Sequence, residues 1–271
     1  MVLITELLGF AAALCIGLIF GLIGAGGSIL AVPVLAYFFG FDEKITTAYS
    51  LFVVGSSAVV GAFRQHLNRL VRLNLVWAFG ISTVIAVTLV RRYLIPALPD
   101  VIFESEGFVL SRRLLIFGLF ALLMIPTAFH MLKSPEPEAP HGLSSLNYPL
   151  IFFQGLAIGG LTGLVGAGGG FMIVPALIYM SGIDMKSAAG TSMAIIAINA
   201  LTGFFLGDAV TMSIDWSFLF SFTVVVMSGL LMGIYLGNFV QGSKLKRAFG
   251  LFVLLMSSCI LSMEIIAIQS K

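Results

Sequence analysis

The chain has 271 residues, of which 59% are hydrophobic and only 10% charged, with a mean hydropathy of +1.12. Soluble domains carry about 25% charged residues, and a soluble fold of this length must still cover a large surface, so the composition excludes one. Fourteen Lys and Arg against 12 Asp and Glu leave a net charge of +2, too little to hold a polyanion, and nucleic acid is excluded as a partner.

The charges mark where the chain crosses the bilayer. No Asp, Glu, Lys or Arg interrupts residues 7–41, 45–63, 73–90, 114–132, 139–183, 187–207, 216–243 or 248–263. About 20 apolar residues span a hydrocarbon core of about 30 Å, so most of these runs hold one helix. The start, Met1 to Phe20, lacks a basic n-region and carries Glu6, so it reads as the first membrane helix rather than a cleaved signal. Two runs are too long for one helix, and each contains a glycine cluster: Gly21-Leu-Ile-Gly-Ala-Gly-Gly-Ser28 and Gly163-Leu-Val-Gly-Ala-Gly-Gly-Gly170. Each interior Gly costs a helix about 1 kcal/mol relative to Ala. Both runs therefore break into a full helix and a short apolar segment, near 29–40 and 171–182. The predicted segments of the first half are about 5–22, 29–40, 45–63, 73–94 and 113–132. The Pro- and charge-rich stretch Lys133-Ser-Pro-Glu-Pro-Glu-Ala-Pro-His-Gly142 is a solvated connection at the chain's midpoint. This divides the chain into a first membrane repeat, 1–132, a linker, 133–147, and a second membrane repeat, 148–271.

A shift of 142 residues superposes the halves. Residues 21–50 match 163–192 at 14 of 30 positions without a gap, among them Gly24/Gly166, Pro33/Pro175, Gly40/Gly182, Asp42/Asp184 and Ser50/Ser192. Shared apolarity would align Leu and Val; it would not align Gly, Pro and Asp in one register. The loop Arg64-Gln-His-Leu-Asn-Arg-Leu-Val-Arg72 is basic, whereas its counterpart, Asp208 to Asp215, has two acids and no base. Lys and Arg favour the cytoplasmic side, so equivalent loops face opposite compartments. An odd number of crossings per half does this, and it makes the stretch flanked by Arg91, Arg92, Arg112 and Arg113 an outer loop, partly balanced by Asp100, Glu104 and Glu106. The predicted fold is an all-α polytopic membrane protein of two inverted repeats, each of about five segments, with short broken helices after the glycine turns.

Inverted repeats with broken helices are a recurring plan of secondary transporters, whose substrates sit near the midplane against half-helix ends. A Gly-Ala-Gly-Gly turn feeding a helix presents backbone N–H groups to an anion; its other use is close helix packing. The candidate substrate-binding residues are Gly24, Ala25, Gly26, Gly27 and Ser28 in the first turn, and Gly166, Ala167, Gly168, Gly169 and Gly170 in the second. Ser50, Thr191, Ser192 and Asn199, polar groups on the segments that follow, complete the set. Hydroxyls and an amide can bind an oxyanion without a full charge and so let it go. Arg64, His66 and Asp208 are the candidates for gating or for proton or ion coupling. Asp42, Lys44, Asp184 and Lys186, which follow the short segments, are expected to cap the next helices or to pair with each other.

Enzyme readings fail on their own chemistry. The first glycine cluster nearly matches a nucleotide-binding P-loop, but Gly27 stands where its lysine must be. Ser192 in Gly190-Thr-Ser192 has no positioned base of the kind a serine nucleophile needs. Cys15 and Cys259 read as small buried hydrophobes without ligand-spaced neighbours. No metal and no cofactor is expected.

The duplicated Gly-x-x-Gly-Ala-Gly-Gly-(Ser/Gly)-x-x-x-Val-Pro-x-Leu pattern, with Ala189-Gly190-Thr191-Ser192 in the second half, resembles the TauE/SafE sulfite exporter family, also called the TSUP permeases. The resemblance covers nearly the whole chain. It implies a multi-pass transporter of the bacterial or archaeal inner membrane, with the lipid bilayer and a small sulfur-containing anion, such as sulfite or a sulfonate, as its partners. The alternatives are a carrier of another small organic anion, such as a carboxylate, or a non-transporting membrane scaffold or receptor. The two copies differ at Ser28/Gly170 and Tyr49/Thr191, so a pseudo-symmetric site would be chemically unlike on its two sides.

Overall fold

The computed structural model describes residues 2–24, 26–99, 101–105, 108–133, 148–165, 169–210 and 212–269. Ala25, Gly166, Ala167, Gly168 and the linker residues 134–147 lie outside them.

The first half contributes α1 (Val2–Ile23), α2 (Gly26–Tyr37), α3 (Glu43–Leu67), α4 and α5 (Arg112–Lys133). α4 runs from Leu73 to Ala97 and includes a π-helical turn, Val90–Leu94. The second half contributes α6 (Tyr148–Val165), α7 (Gly170–Ser181), α8 (Met185–Leu206), α9 (Trp216–Gly237) and α10 (Gly242–Gln269). Seven of these, α1, α3, α4, α5, α8, α9 and α10, are long and apolar enough to cross a membrane. The all-α polytopic class predicted from charge spacing is the one observed. α2 and α7 have 12 residues each, so they reach only about 18 Å.

Local chemistry fixes the breaks. Gly40 and Gly182 close the short helices in left-handed conformation, at φ 68° and 61°, a region that only glycine enters without strain. Asp42 then caps α3 by accepting from the Ile45 N–H, and Asp184 caps α8 by accepting from the Ser187 N–H. Capping is thus the role of both aspartates at these helix starts.

Glycines set how the long helices meet. Gly17 and Gly21 of α1 lie against the backbone of α9 at Val226 and Leu230, while Gly229 and Gly233 of α9 lie against Leu14 and Leu18. Gly155, Gly159 and Gly163 of α6 pack on α4 at Ser82, Thr83 and Val87. Both pairs run parallel. α3 and α8 run antiparallel, with Gly55 beside Leu201, Gly61 beside Met193 and Gly190 beside Gln65. α5 pairs with α10, and α2 touches α7.

Three expectations change. The stretch after α4, read as an outer loop, contains a hairpin of β1 (Val101–Ser105) and β2 (Phe108–Ser111). Its Val, Ile and Phe suit a strand, and the charges between them concealed it. Cys15 and Cys259 are exposed rather than buried. Apolar residues line the outside of a membrane bundle as well as its inside, so hydropathy does not separate the two. Arg91, which charge counting set beside that outer loop, is buried inside the bundle with 1% of its surface exposed.

Candidate functional site

α3, α4 and α8 share a seam that collects most of the buried polar groups among the described residues. Because α3 and α8 are antiparallel, the seam has two ends and a middle, and the predicted residues are distributed among them.

At one end the first glycine turn docks on the start of α8. Gly24 is left-handed, at φ 85°, and a side chain there would meet the Ala189 backbone. The Ser192 hydroxyl lies 3.2 Å from the Gly24 carbonyl and 2.8 Å from that of Ala189, with one proton to donate between them. Gly26, Gly27 and Ser28 open α2. Thr191 accepts a hydrogen bond from the Arg72 N–H at 3.0 Å, which ties down the basic loop. Arg64 and His66 are exposed in that region.

Thr191 has a counterpart in function as well as in register. Tyr49, its equivalent, accepts from the Asp215 N–H at 2.7 Å. Arg72 and Asp215 are the residues that precede α4 and α9. Each hydroxyl therefore holds the start of the fourth helix of the opposite half, and Thr and Tyr do the same work at different reach.

The middle of the seam holds Asn199, 1% exposed, and Ser57, fully buried. The Asn199 Oδ1 lies 3.0 Å from the Thr83 hydroxyl, and its Nδ2 has no partner among the described residues. Thr83 has one proton and three acceptors within reach, Phe79 O, Gly80 O and Asn199 Oδ1. Turning the amide around would satisfy the pair equally well. Either way one polar atom of Asn199 faces the interior without a bond. The Ser57 Oγ is likewise without a partner among the described residues, and the α3–α8 register puts it at the level of Asn199.

At the other end stand Ser50, Thr47, Arg91 and Asp208. Ser50 donates to Thr47 O at 3.0 Å. The Arg91 Nη1 donates to Thr47 Oγ1 at 3.1 Å and reaches Asp208 at 3.2 and 3.3 Å. Beside them opens a cavity of about 310 Å³ lined by Asp42, Lys44, Ile45, Ile95, Pro96, Asp208 and Met212. Arg112 bonds Glu43 through Nε and Nη2, at 2.9 and 2.6 Å, and closes the flank of this end. Gly169 precedes α7 at φ 77° against Thr162 of α6, and Gly170 opens the helix.

Ser50 and Ser192 do not converge on one point. The α3–α8 register places Ser50 beside the end of α8, about 20 Å along the helix from Ser192 at 1.5 Å per residue. The structure brings Gly24, Thr191 and Ser192 together, sets Asn199 midway and gathers Ser50 with Asp208 at the far end. Sequence reading missed Arg91, Thr47 and Thr83 as members of this seam. One signal was available: Arg91 interrupts an apolar run at a place where a helix of ordinary length would still be inside the bilayer.

A bundle of long apolar helices around a buried polar seam defines a multi-pass membrane protein. The family model described as sulfite exporter TauE/SafE matches residues 9–260. The chain belongs to this family. A probable membrane transporter protein of Xylella fastidiosa strain 9a5c is 30% identical over 245 residues, 88% of each chain. A second, from strain Temecula1 of the same species, matches to the same extent. A probable membrane transporter protein of Methanocaldococcus jannaschii is 28% identical over 196 residues, 69% of this chain and 67% of its own. No solved structure matches the chain. The protein is a multi-pass membrane transporter.

Proposed function

We propose that the transporter moves a small sulfur-containing anion, such as sulfite or a sulfonate, across the inner membrane by alternating access between two inverted repeats of five helices. The single observation that carries this reading is the mid-seam amide of Asn199, which has an unbonded polar atom deep in an apolar bundle. An intramembrane polar group of this kind marks a substrate route rather than a packing contact. Neutral donors at mid-route bind an oxyanion weakly enough to release it. The family's description supports a sulfur oxyanion as the cargo.

The antiparallel packing of α3 on α8 and the matched pairs α1 with α9 and α4 with α6 support the inversion. In this reading Gly24 and the start of α2 mark one end of the path, and Gly169 and the start of α7 the other. Ser192 and Thr191 line one end, Ser50 the other, and Asn199 the middle. Arg64 and His66 guard the basic end, Asp208 the opposite one, where proton or ion coupling would act. The substrate crosses unchanged, and the protein performs no chemistry on it.

A thermal-stability panel on the purified chain tests the substrate class. The ligands are sulfite, sulfate, thiosulfate, alkyl and aryl sulfonates, carboxylates and amines at matched ionic strength. A ligand at 100 times its dissociation constant stabilises the folded state by about 2.7 kcal/mol. Stabilisation confined to sulfur anions is the expected result. A response confined to carboxylates overturns the cargo, and no response to any anion overturns the anion path.

A further inference from the structure

Arg91 is the largest fully buried side chain among the described residues, and its guanidinium is only partly bonded. Nη1 serves Thr47 and Asp208, while Nε and Nη2 are buried with no hydrogen-bond partner among the described residues. Those two nitrogens form one edge of the guanidinium, two parallel donors at the spacing of two oxygens of a carboxylate, sulfonate or sulfite. A charged group buried with its best recognition edge unused is costly as a packing element.

Its surroundings are built for that side chain. Gly203 and Gly207 of the α8 end leave the slot its stem occupies; a side chain at Gly207 would meet the Arg91 Cβ at 2.6 Å. Arg91 also sits in the π-helical turn of α4, an irregularity that recurs at functional sites. The 310 Å³ cavity is lined by Asp208 and Ile95, so it opens on the carboxylate side of the ion pair, with Arg91 behind Asp208. At roughly 30 Å³ for each water, that space holds a small oxyanion with several waters. Asp42 stands exposed in its wall.

The duplication shows that the fold does not require the pair. Under the 142-residue shift Arg91 falls on Gly233 and Asp208 on His66, which is exposed. The equivalent helices pack in the same pattern without a buried charge at that place.

We propose that the Nε–Nη2 edge of Arg91 is the oxyanion-recognition element of this end of the path, with Asp208 as a resident counter-ion on Nη1 that keeps the binding reversible. The assignment deepens the proposed function and rests on the seam being an anion path. The anion takes two charge-assisted hydrogen bonds from the free edge, and the Asp208 carboxylate repels it across the same guanidinium. Affinity is therefore held below what an unshared arginine would give.

The test is anion binding to the full purified chain in lipid nanodiscs, read as ligand-dependent thermal stabilisation with sulfite, sulfate and acetate. Asp208→Asn is expected to lower the stability of the ligand-free protein and to tighten oxyanion binding by about tenfold, the size of one carboxylate's repulsion in a partly polar interior. The neutral pair Arg91→Gln with Asp208→Asn is expected to stay folded and lose saturable binding. Arg91→Lys keeps the charge but loses the paired donors, and is expected to bind more weakly than wild type. Wild-type affinity in folded Arg91→Lys or in the neutral pair overturns the assignment, as does an unchanged affinity in folded Asp208→Asn. Absence of binding by any anion to both wild type and Asp208→Asn overturns it too. The two readings separate cleanly. Sulfite binding that survives in the neutral pair removes Arg91 and leaves the sulfur cargo, whereas acetate-only binding that vanishes there keeps Arg91 and removes the sulfur cargo.

Discussion

Single residues here carry two kinds of constraint, conformation and contact, and they can be separated. Gly40 and Gly24 are both left-handed, but a side chain at Gly40 would meet nothing within 4 Å, while one at Gly24 would meet Ala189. Gly40→Ala should therefore cost only the conformational strain, about 1–2 kcal/mol. Gly24→Ala should cost clearly more and reduce flux as well, and thermal unfolding in detergent beside a flux assay checks both. Equal losses at the two positions would show that Gly24 has no packing role. The hydroxyls of Thr191 and Tyr49 make a similar pair. Thr191→Val and Tyr49→Phe each leave one half-buried backbone N–H without its acceptor, at a cost of about 1 kcal/mol. Thr191→Ser should restore the stability, and a bulky residue at Thr191 should abolish flux while the protein stays folded. The twin glycine motif made these neighbourhoods legible. Arg91 was not, because an arginine that precedes Arg92 at the end of an apolar run reads equally as a charge at the membrane surface, and the packing of Gly203 and Gly207 shows it turned inward.

At the scale of elements, the parallel pairs α1 with α9 and α4 with α6 depend on backbone-to-backbone approach. Gly17 and Gly159 are equivalent under the 142-residue shift, and each faces partner backbone directly. Gly17→Val and Gly159→Val are expected to cause matching losses of monodisperse protein. Gly80→Ala and Gly118→Ala, where a side chain meets nothing within 4 Å, should instead gain up to about 1 kcal/mol of helix propensity. Size-exclusion profiles and unfolding temperatures decide it; tolerance of valine at Gly17 would contradict the packing. Segment existence was readable because charges punctuate the apolar runs, and the glycine clusters, with Gly40, Gly182, Asp42 and Asp184, placed the breaks. Segment length was less so: α3 extends to Glu43–Leu67 because its ends are charged and amphipathic. The hairpin after α4 was hidden because two short strands leave no periodic signal between charges. Helix faces were also hidden, since Cys15 and Cys259 show that outward and inward positions share one hydropathy.

For the molecule as a whole, the proposed inversion would put the two equivalent loops on opposite sides of the membrane. With Cys15 and Cys259 replaced, single cysteines at the exposed positions Asn68 and Ser213 should react with an impermeant thiol reagent from opposite faces of oriented vesicles. Labelling of both from one face would make the repeats parallel. Labelling from opposite faces would give the proposed path, from the basic loop through Asn199 to Asp208, one end in each compartment, as alternating access needs. The most direct measurement is uptake of radiolabelled sulfite into proteoliposomes holding the purified chain. Expected is saturable uptake that thiosulfate and alkyl sulfonates inhibit and acetate does not, and that falls in Asn199→Leu without loss of folded protein. Uptake no faster than in empty liposomes, or uptake blocked by acetate and indifferent to sulfonates, contradicts the assignment of this seam as a route for sulfur anions.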